Sequence, residues 1–262
     1  MSNSNKSINA LHTCAESLDR APTIEVAFEA LSRCVTELGF AAIAYTLFPR
    51  NLGPLGDFVP IFLSSPEFSQ GFLAHYQEAD LMRHDFTIPR VKSGYMGAME
   101  WQLELEKNQL SADQRNVVLI AKHDYHIRDA VTLPCHCDEH IVAGATVLSY
   151  DSPSSFQRLK DAESPSLKIA IALFNSYVLR HIHARKPFYE PFLSSLSRNE
   201  SCLIEHLVQG RTMRKTKQLY GISSTNAGST LSKFYDKINV KNGSECAHLI
   251  GRHMIPEMLK LP

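Results

Sequence analysis

Residues 196–250 read LSRNESCLIEHLVQGRTMRKTKQLYGISSTNAGSTLSKFYDKINVKNGSECAHLI and divide into four helix-length segments separated by short breaks. Ser197 and Glu200 have the spacing of a capping box, in which a hydroxyl and a carboxylate bind the free backbone N–H groups at a helix start. In the third segment, apolar residues recur at helical spacing and predict one buried stripe: Ala227, Leu231, Phe234 and Ile238. The sequence therefore predicts a small all-α, four-helix helix-turn-helix domain over residues 195–262.

The charge of the chain is concentrated in this region. Residues 196–256 hold nine basic and four acidic side chains, a net charge of +5, and the whole chain is neutral, so the remainder carries −5. A basic surface on a small helical domain is typical of phosphate contacts, although it also fits a simple solvated face. On the first interpretation the partner is double-stranded promoter DNA, and the residues expected to contact it are Arg211, Thr212, Arg214, Lys215, Thr225, Asn226, Gly228, Ser229, Ser232, Lys233 and Lys237.

The segment from Leu196 to about Ala247 resembles the C-terminal DNA-binding domain of the LuxR family of transcription regulators. The residues that carry the resemblance are Leu196, Ser197, Glu200, Leu207, Gly210, Thr212, Gly221, Ile222, Ser223, Leu231, Lys237, Val240 and Asn242. The resemblance implies a regulator that binds DNA as a dimer. However, the customary lysine of the DNA-reading helix is Gly228, and a second basic position is Ser232. This departure favours an alternative function, in which the chain is a heterodimer partner or anti-activator of another LuxR-type regulator.

Residues 1–183 predict an α/β domain, an α-β-α sandwich, and the proline-containing segment 184–194 predicts a linker. After a polar tail, apolar runs predict strands over residues 40–48, 57–64, 130–135 and 142–150. Helices are predicted around residues 28–38, from Ser65-Pro66 onward, over residues 111–125 behind a Ser111–Gln114 capping box, and over residues 166–183 behind Ser164-Pro165.

This N-terminal region resembles the signal-binding domain of the LuxR family. By that resemblance, the pocket for an acyl-homoserine lactone is lined by Phe72, Tyr76, Asp85, Trp101 and Ser149. A buried carboxylate such as that of Asp85 needs a donor, which a ligand amide supplies, while the phenol of Tyr76 and the indole of Trp101 can donate to ligand carbonyls. Phe72 stands where the family usually has tryptophan, so three alternatives stay open: a homoserine lactone, another small molecule, or no ligand.

Other classes of function find little support. The chain has no glycine-rich phosphate loop, nucleophile elbow or metalloprotease pair, so we expect neither an enzyme nor a cofactor. Cys135, His136, Cys137 and His140 lie within six residues, but no second ligand pair follows, and we expect no metal. The six scattered cysteines predict free thiols. Without a signal peptide or an apolar span, the chain is expected to be cytoplasmic.

Overall fold

The structure is a computed structural model that describes residues 2–52 and 61–261. The chain divides into two compact units. The N-terminal unit comprises residues 1–47 and 60–184, and the C-terminal unit comprises residues 48–59 and 185–262. Within the described ranges, no helix combines the length and apolar character that a membrane span requires. All six cysteines are free thiols, as predicted.

The N-terminal unit contains seven α-helices among its described residues. They are α1 (Ser2–Arg20), α2 (Ile24–Glu37), α3 (Gln70–Glu78), α4 (Thr87–Lys92), α5 (Trp101–Glu106), α6 (Ala112–Asp124) and α7 (Pro153–Arg180). The predicted polar tail is instead helix α1, which packs on α2 and α7 through a buried stripe of Ser7, Ala10, Cys14 and Leu18. The tail prediction was wrong because this stripe is narrow and mostly small, and polar residues surround it. The capping box of Ser111 and Gln114 is confirmed at the start of α6.

Five strands form one sheet with the order β2-β1-β5-β4-β3. They are β1 (Ala42–Pro49), β2 (Phe62–Ser64), β3 (Met99–Glu100), β4 (Asp129–Cys137) and β5 (Ile141–Ser149). The pairs β1–β2, β3–β4 and β4–β5 are antiparallel. The predicted α/β class is confirmed, and so are the predicted strands around β1, β4 and β5. Of the predicted strand 57–64, residues 62–64 form strand β2, residue 61 is not in a strand, and residues 57–60 lie outside the described residues.

The two faces of the sheet are covered by different helices. Asp129 on β4 contacts Lys160 of α7, whereas Thr132, an odd number of residues away, accepts a hydrogen bond from Trp101 of α5. Because side chains alternate along a strand, α7 lies on one face of the sheet and α5 on the other. These are called here the α7 face and the α5 face.

Two helix starts differ from the prediction. The helix expected from Ser65-Pro66 begins only at Gln70, with Ser69 as its N-cap. The reason is that Ser65 continues the strand pairing, since it exchanges hydrogen bonds with the backbone of Ile43. The helix expected after Ser164-Pro165 begins instead at Pro153 and runs through Pro165.

From residue 185 onward, the described part of the C-terminal unit is helical, whereas its residues 48–49 form the end of β1. Helix α8 (Ile182–Ser194) enters it, followed by α9 (Arg198–Val208), α10 (Thr216–Tyr220), α11 (Ser224–Lys237), α12 (Gly243–Arg252) and α13 (Ile255–Met258). The segment predicted as a linker, residues 184–194, lies entirely within helix α8. Burial of Phe188, Tyr189 and Phe192 outweighs the cost of the two prolines within this helix.

The packing of α11 follows the predicted stripe. Ala227, Leu231, Phe234 and Ile238 are all buried, and the first two share a core with Leu203 of α9. The capping box at the start of α9 is confirmed, because Ser197 Oγ accepts the Glu200 N–H and a Glu200 carboxylate oxygen accepts the Ser197 N–H.

Candidate ligand-binding site and nucleic-acid interface

Four of the five residues predicted to bind a ligand lie together on the α5 face. Phe72 and Tyr76 are one turn apart on α3, and their ring centroids are 5.9 Å apart. The Phe72 ring is 6.4 Å from that of Trp101, the first residue of α5. Asp85 follows the 3-10 turn Leu81–His84 and reaches the Tyr76 hydroxyl. Since all four residues are buried, they form an aromatic cluster around one carboxylate.

Asp85 is the polar centre of this cluster. Its Oδ2 accepts a hydrogen bond from the Tyr76 hydroxyl at 2.8 Å, and its Oδ1 accepts bonds from the backbone N–H and the hydroxyl of Thr87 at 2.7 and 2.6 Å. Burial, followed by the nearby Asp85 charge, raises the pKa of Tyr76 well above its usual value, so the phenol keeps its proton. A carboxylate has about four acceptor positions, and three are used here. Oδ2 therefore retains capacity for one more donor.

The indole proton of Trp101 is donated within the protein. Trp101 Nε1 donates to Thr132 Oγ1 at 3.0 Å, and Thr132 Oγ1 is hydrogen bonded to Thr146 Oγ1 at 2.9 Å. The indole and the Tyr76 phenol were expected to donate to ligand carbonyls, but in the structure both donate to protein oxygens. The two threonine hydroxyls share one hydrogen bond, so one of their two protons stays available for another acceptor. The threonines were missed in the sequence, although both are polar residues inside predicted apolar strands.

Ser149 lies apart from the other four residues. It pairs with Asp129 across the β4–β5 ladder, while Thr132 pairs with Thr146. Residues paired in register point to the same face, so Ser149 is on the α7 face, opposite Trp101. Its hydroxyl accepts the Asp151 N–H at 3.2 Å. The structure therefore does not bring Ser149 together with the aromatic cluster, because an odd number of positions separates it from Thr146 on β5, and a role of Ser149 in ligand binding stays a prediction.

Cys135, His136 and Cys137 lie at the end of β4, and His140 lies in the turn before β5. Side chains of this group make contacts within the protein. His136 Nε2 is 3.0 Å from Asp138 Oδ2, and Cys137 Sγ donates to the Val91 carbonyl oxygen at 3.2 Å. Burial raises the pKa of the Cys135 thiol to about 12. Across the described ranges, no group of three or more histidine, cysteine or acidic side chains has the arrangement to hold a metal ion.

Most of the residues predicted to contact DNA are exposed side chains of the C-terminal unit. Ten are exposed: Arg211, Thr212, Arg214, Lys215, Thr225, Asn226, Gly228, Ser229, Ser232 and Lys233. Lys237 differs, because it is half-buried and its Nζ donates to the Ser195 carbonyl oxygen at 2.9 Å. Its ammonium group thus ties α11 to the start of α9. The predicted contacts on the exposed face of α11 are small polar residues and one lysine, Lys233.

Residues 23–177, from the end of the α1–α2 turn to the last turns of α7, match the family model for the autoinducer binding domain. The chain belongs to this family. The match includes the whole aromatic cluster and ends at residue 177, before helix α8. A search of curated proteins finds no match.

Two solved structures share the fold of this autoinducer-binding family member. One is CepR2 from Burkholderia cenocepacia, an N-acylhomoserine lactone dependent LuxR family transcription factor, with 18% identity and a TM-score of 0.50, over 66% of this chain and 98% of that one. The other is SdiA from Escherichia coli, with 13% identity and a TM-score of 0.51, over 95% of this chain and 98% of that one. At such identities the likeness is one of fold.

Proposed function

We propose that this chain is a LuxR-type transcription regulator whose N-terminal unit binds a small acylated signal and whose C-terminal unit binds promoter DNA. The observation that carries the proposal is the buried carboxylate of Asp85 within an autoinducer-binding domain, with an acceptor position left on Oδ2. A carboxylate is buried at a cost of several kcal/mol unless donors surround it, so a site of this kind is suited to a ligand that brings one more N–H.

An N-acyl-homoserine lactone meets these requirements. Its amide N–H fits the remaining acceptor position of Asp85, and a carbonyl of the ligand fits the available proton of the Thr132 and Thr146 hydroxyls. The ring of Phe72 offers apolar surface and no N–H, so the threonine pair replaces the donor that tryptophan supplies elsewhere in the family. The proposed ligand is therefore an amide that carries an acyl chain.

The ligand proposal is tested with the fluorescence of Trp101, the only tryptophan in the chain. The full chain is titrated with homoserine lactones of graded acyl length, and a saturable change in emission is expected for part of the series. Asp85→Asn keeps the shape of the side chain and removes the charged acceptor, so it should weaken binding about tenfold or more. Asp124→Ala, at an exposed aspartate of α6, is the control. A flat response of the parent chain across the series rejects the lactone.

The proposal of DNA binding is supported by charge and exposure. Arg211, Arg214 and Lys215 are exposed around the short turn that precedes α10, and α11 follows with a small polar face that fits a major groove. A dimer is part of the proposal, since one recognition helix buries little surface and two half-sites add their affinities.

The α11 helix permits a sharp test. Gly228 is exposed, and a Cβ added there meets no atom within 4 Å, so Gly228→Lys restores the family's usual lysine without a clash. Binding to promoter fragments is followed by fluorescence anisotropy at several salt concentrations. The variant should bind DNA more tightly, with a log–log salt slope steeper by about 0.9 per added phosphate contact. Gly251→Lys on α12 adds the same charge at an equally open glycine and should change little. Equal gains in both variants contradict a recognition role of α11.

One observation favours the second function, that of a protein partner for another LuxR-type regulator. The exposed residues Gly228, Ser229 and Ser232 offer no guanidinium or ammonium group for reading guanine. A chain that binds no DNA alone, but joins a DNA complex when a second LuxR-type regulator is added, supports this alternative against direct DNA binding.

A further inference from the structure

A buried charge cluster lies on the α7 face, outside the aromatic cluster. Lys160 of α7 is 5% exposed, and its ammonium group contacts the carboxylate of Glu100 and lies 3.6 Å from Asp129 Oδ2. The ammonium group also lies 4.9 Å from the centre of the Phe156 ring. Burying a lysine and an aspartate together stabilises a fold poorly compared with apolar residues, so the cluster calls for a role beyond stability.

The two carboxylates of this cluster hold the residues on either side of Trp101. Glu100 directly precedes Trp101, and its side chain is fixed by Lys160. Gln102 directly follows Trp101, and its backbone N–H donates to Asp129 Oδ1 at 3.2 Å. Glu100 makes no side-chain cap on α5, so Asp129 supplies an acceptor for the first turn of this helix from a neighbouring strand.

The cluster and the indole lie on opposite faces of the sheet. Glu100 pairs with Val131, and Met99 pairs with Thr132, so Glu100 points to the α7 face. Trp101 reaches Thr132 on the α5 face. The backbone at residues 100–102 is thus fixed from one side while the indole projects to the other.

We propose that Lys160 is a positioning residue for the ligand site, because it holds Glu100 and Asp129 so that Trp101 meets Thr132 in one orientation. This inference rests on the proposed function, since Trp101 belongs to the proposed ligand site. Lys160 lies on the α7 face, whereas the proposed ligand site lies on the α5 face. The effect of Lys160 on Trp101 therefore passes through the backbone of β3 and α5.

The electrostatics of Asp129 agree with this role. Burial raises the pKa of its carboxyl, and the nearby Lys160 ammonium acts in the opposite direction. Without Lys160 the neutral form of Asp129 is favoured, and a neutral carboxyl is a weaker acceptor for the Gln102 N–H. Loss of the lysine therefore releases the first turn of α5.

The experiment measures Trp101 emission in the full chain without any ligand. Lys160→Met removes the charge and keeps most of the length, and we expect emission at longer wavelength and a larger acrylamide quenching constant. Lys160→Arg keeps the charge and should restore most of the parent spectrum. Glu163→Gln is the matched control, because it disturbs a second buried contact of α7, the hydrogen bond from Ser7 to Glu163 at 2.8 Å, without touching β3 or α5. Its spectrum should equal that of the parent chain.

Two results overturn the positioning role: an unchanged Trp101 spectrum in Lys160→Met, or a shift of equal size in Glu163→Gln. If circular dichroism shows that Lys160→Met does not fold, the milder variant Glu100→Gln is used instead. An unchanged Trp101 spectrum in Glu100→Gln then overturns the positioning role. Lactone titration of the same proteins separates the two proposals. A spectral shift in Lys160→Met together with no lactone response in the parent chain rejects the ligand and leaves the positioning role in place.

Discussion

At the scale of single residues, hydrogen bonding decides the chemistry of the candidate site. Asp85 receives three donors from two residues, and the ring of Tyr76 is packed against Phe72. Tyr76 therefore has two roles: its hydroxyl donates a hydrogen bond to Asp85, and its ring packs in the aromatic cluster. The contribution of the hydrogen bond to stability can be measured without a ligand, because the bond joins two side chains of the protein.

Tyr76→Phe should lower the free energy of unfolding by about 1 to 3 kcal/mol, since Asp85 stays buried with one donor fewer. The measurement is urea unfolding followed by circular dichroism. Tyr95→Phe removes the same hydroxyl from an exposed tyrosine, whose bond to the Ala98 carbonyl oxygen is 3.5 Å long, and should cost less than about 0.5 kcal/mol. Equal losses in the two variants would show that the Tyr76–Asp85 bond adds no stability of its own.

The limits of sequence reasoning are visible at this scale. Phe72, Tyr76 and Asp85 were predicted as neighbours by the resemblance to the family's signal-binding domain, and the structure brings them together, since Phe72 and Tyr76 are one helical turn apart and Asp85 follows a short turn. The partnership of Trp101 with Thr132 depends on strand register, which no local pattern contains. For the same reason the sequence did not show that Ser149 and Trp101 lie on opposite faces of the sheet.

At the scale of elements, the long helix α7 continues through a proline because the residues around that proline are buried. Pro165 lies near its middle, where it cannot donate to the Asp161 carbonyl oxygen. The sequence predicted a break there, since proline usually begins a helix rather than interrupts one. The helix continues because Lys160, Glu163 and Leu167 are buried on both sides of the proline. By contrast, β4 and β5 were predictable, because continuous apolar runs are long enough to identify a buried strand.

Pro165→Ala should raise the free energy of unfolding by about 2 kcal/mol, because the helix gains a hydrogen bond while the unfolded chain gains some freedom. Pro153→Ala is the matched control within the same helix, since Pro153 lies in the first turn, where its missing N–H has no intrahelical partner. This variant should be neutral or slightly destabilising. Both prolines are exposed, so neither change opens a cavity. Thermal and urea unfolding of the two variants give the comparison, and equal stabilities would contradict the cost assigned to Pro165.

At the scale of the whole molecule, the proposed functions belong to different units. The match to the autoinducer binding domain ends at residue 177, whereas the net charge of +5 lies in residues 196–256. A regulator of the proposed kind needs a coupling free energy between ligand and DNA. Such coupling is reciprocal by thermodynamic necessity and typically reaches about 1 to 3 kcal/mol.

The coupling yields a prediction that requires no knowledge of the path between the sites. A lactone that changes the Kd for DNA by a given factor, about 5- to 150-fold for ordinary coupling, must have its own Kd changed by the same factor when DNA is saturating. Anisotropy of labelled DNA gives one factor, and Trp101 fluorescence gives the other. Asp85→Asn should remove the lactone effect on DNA while leaving the Kd for DNA without lactone unchanged. Both factors are measured in the parent chain at one protein concentration and one salt concentration. If the lactone changes the Kd for DNA by one factor and DNA changes the Kd for the lactone by a different one, the two sites are not coupled in the same molecule.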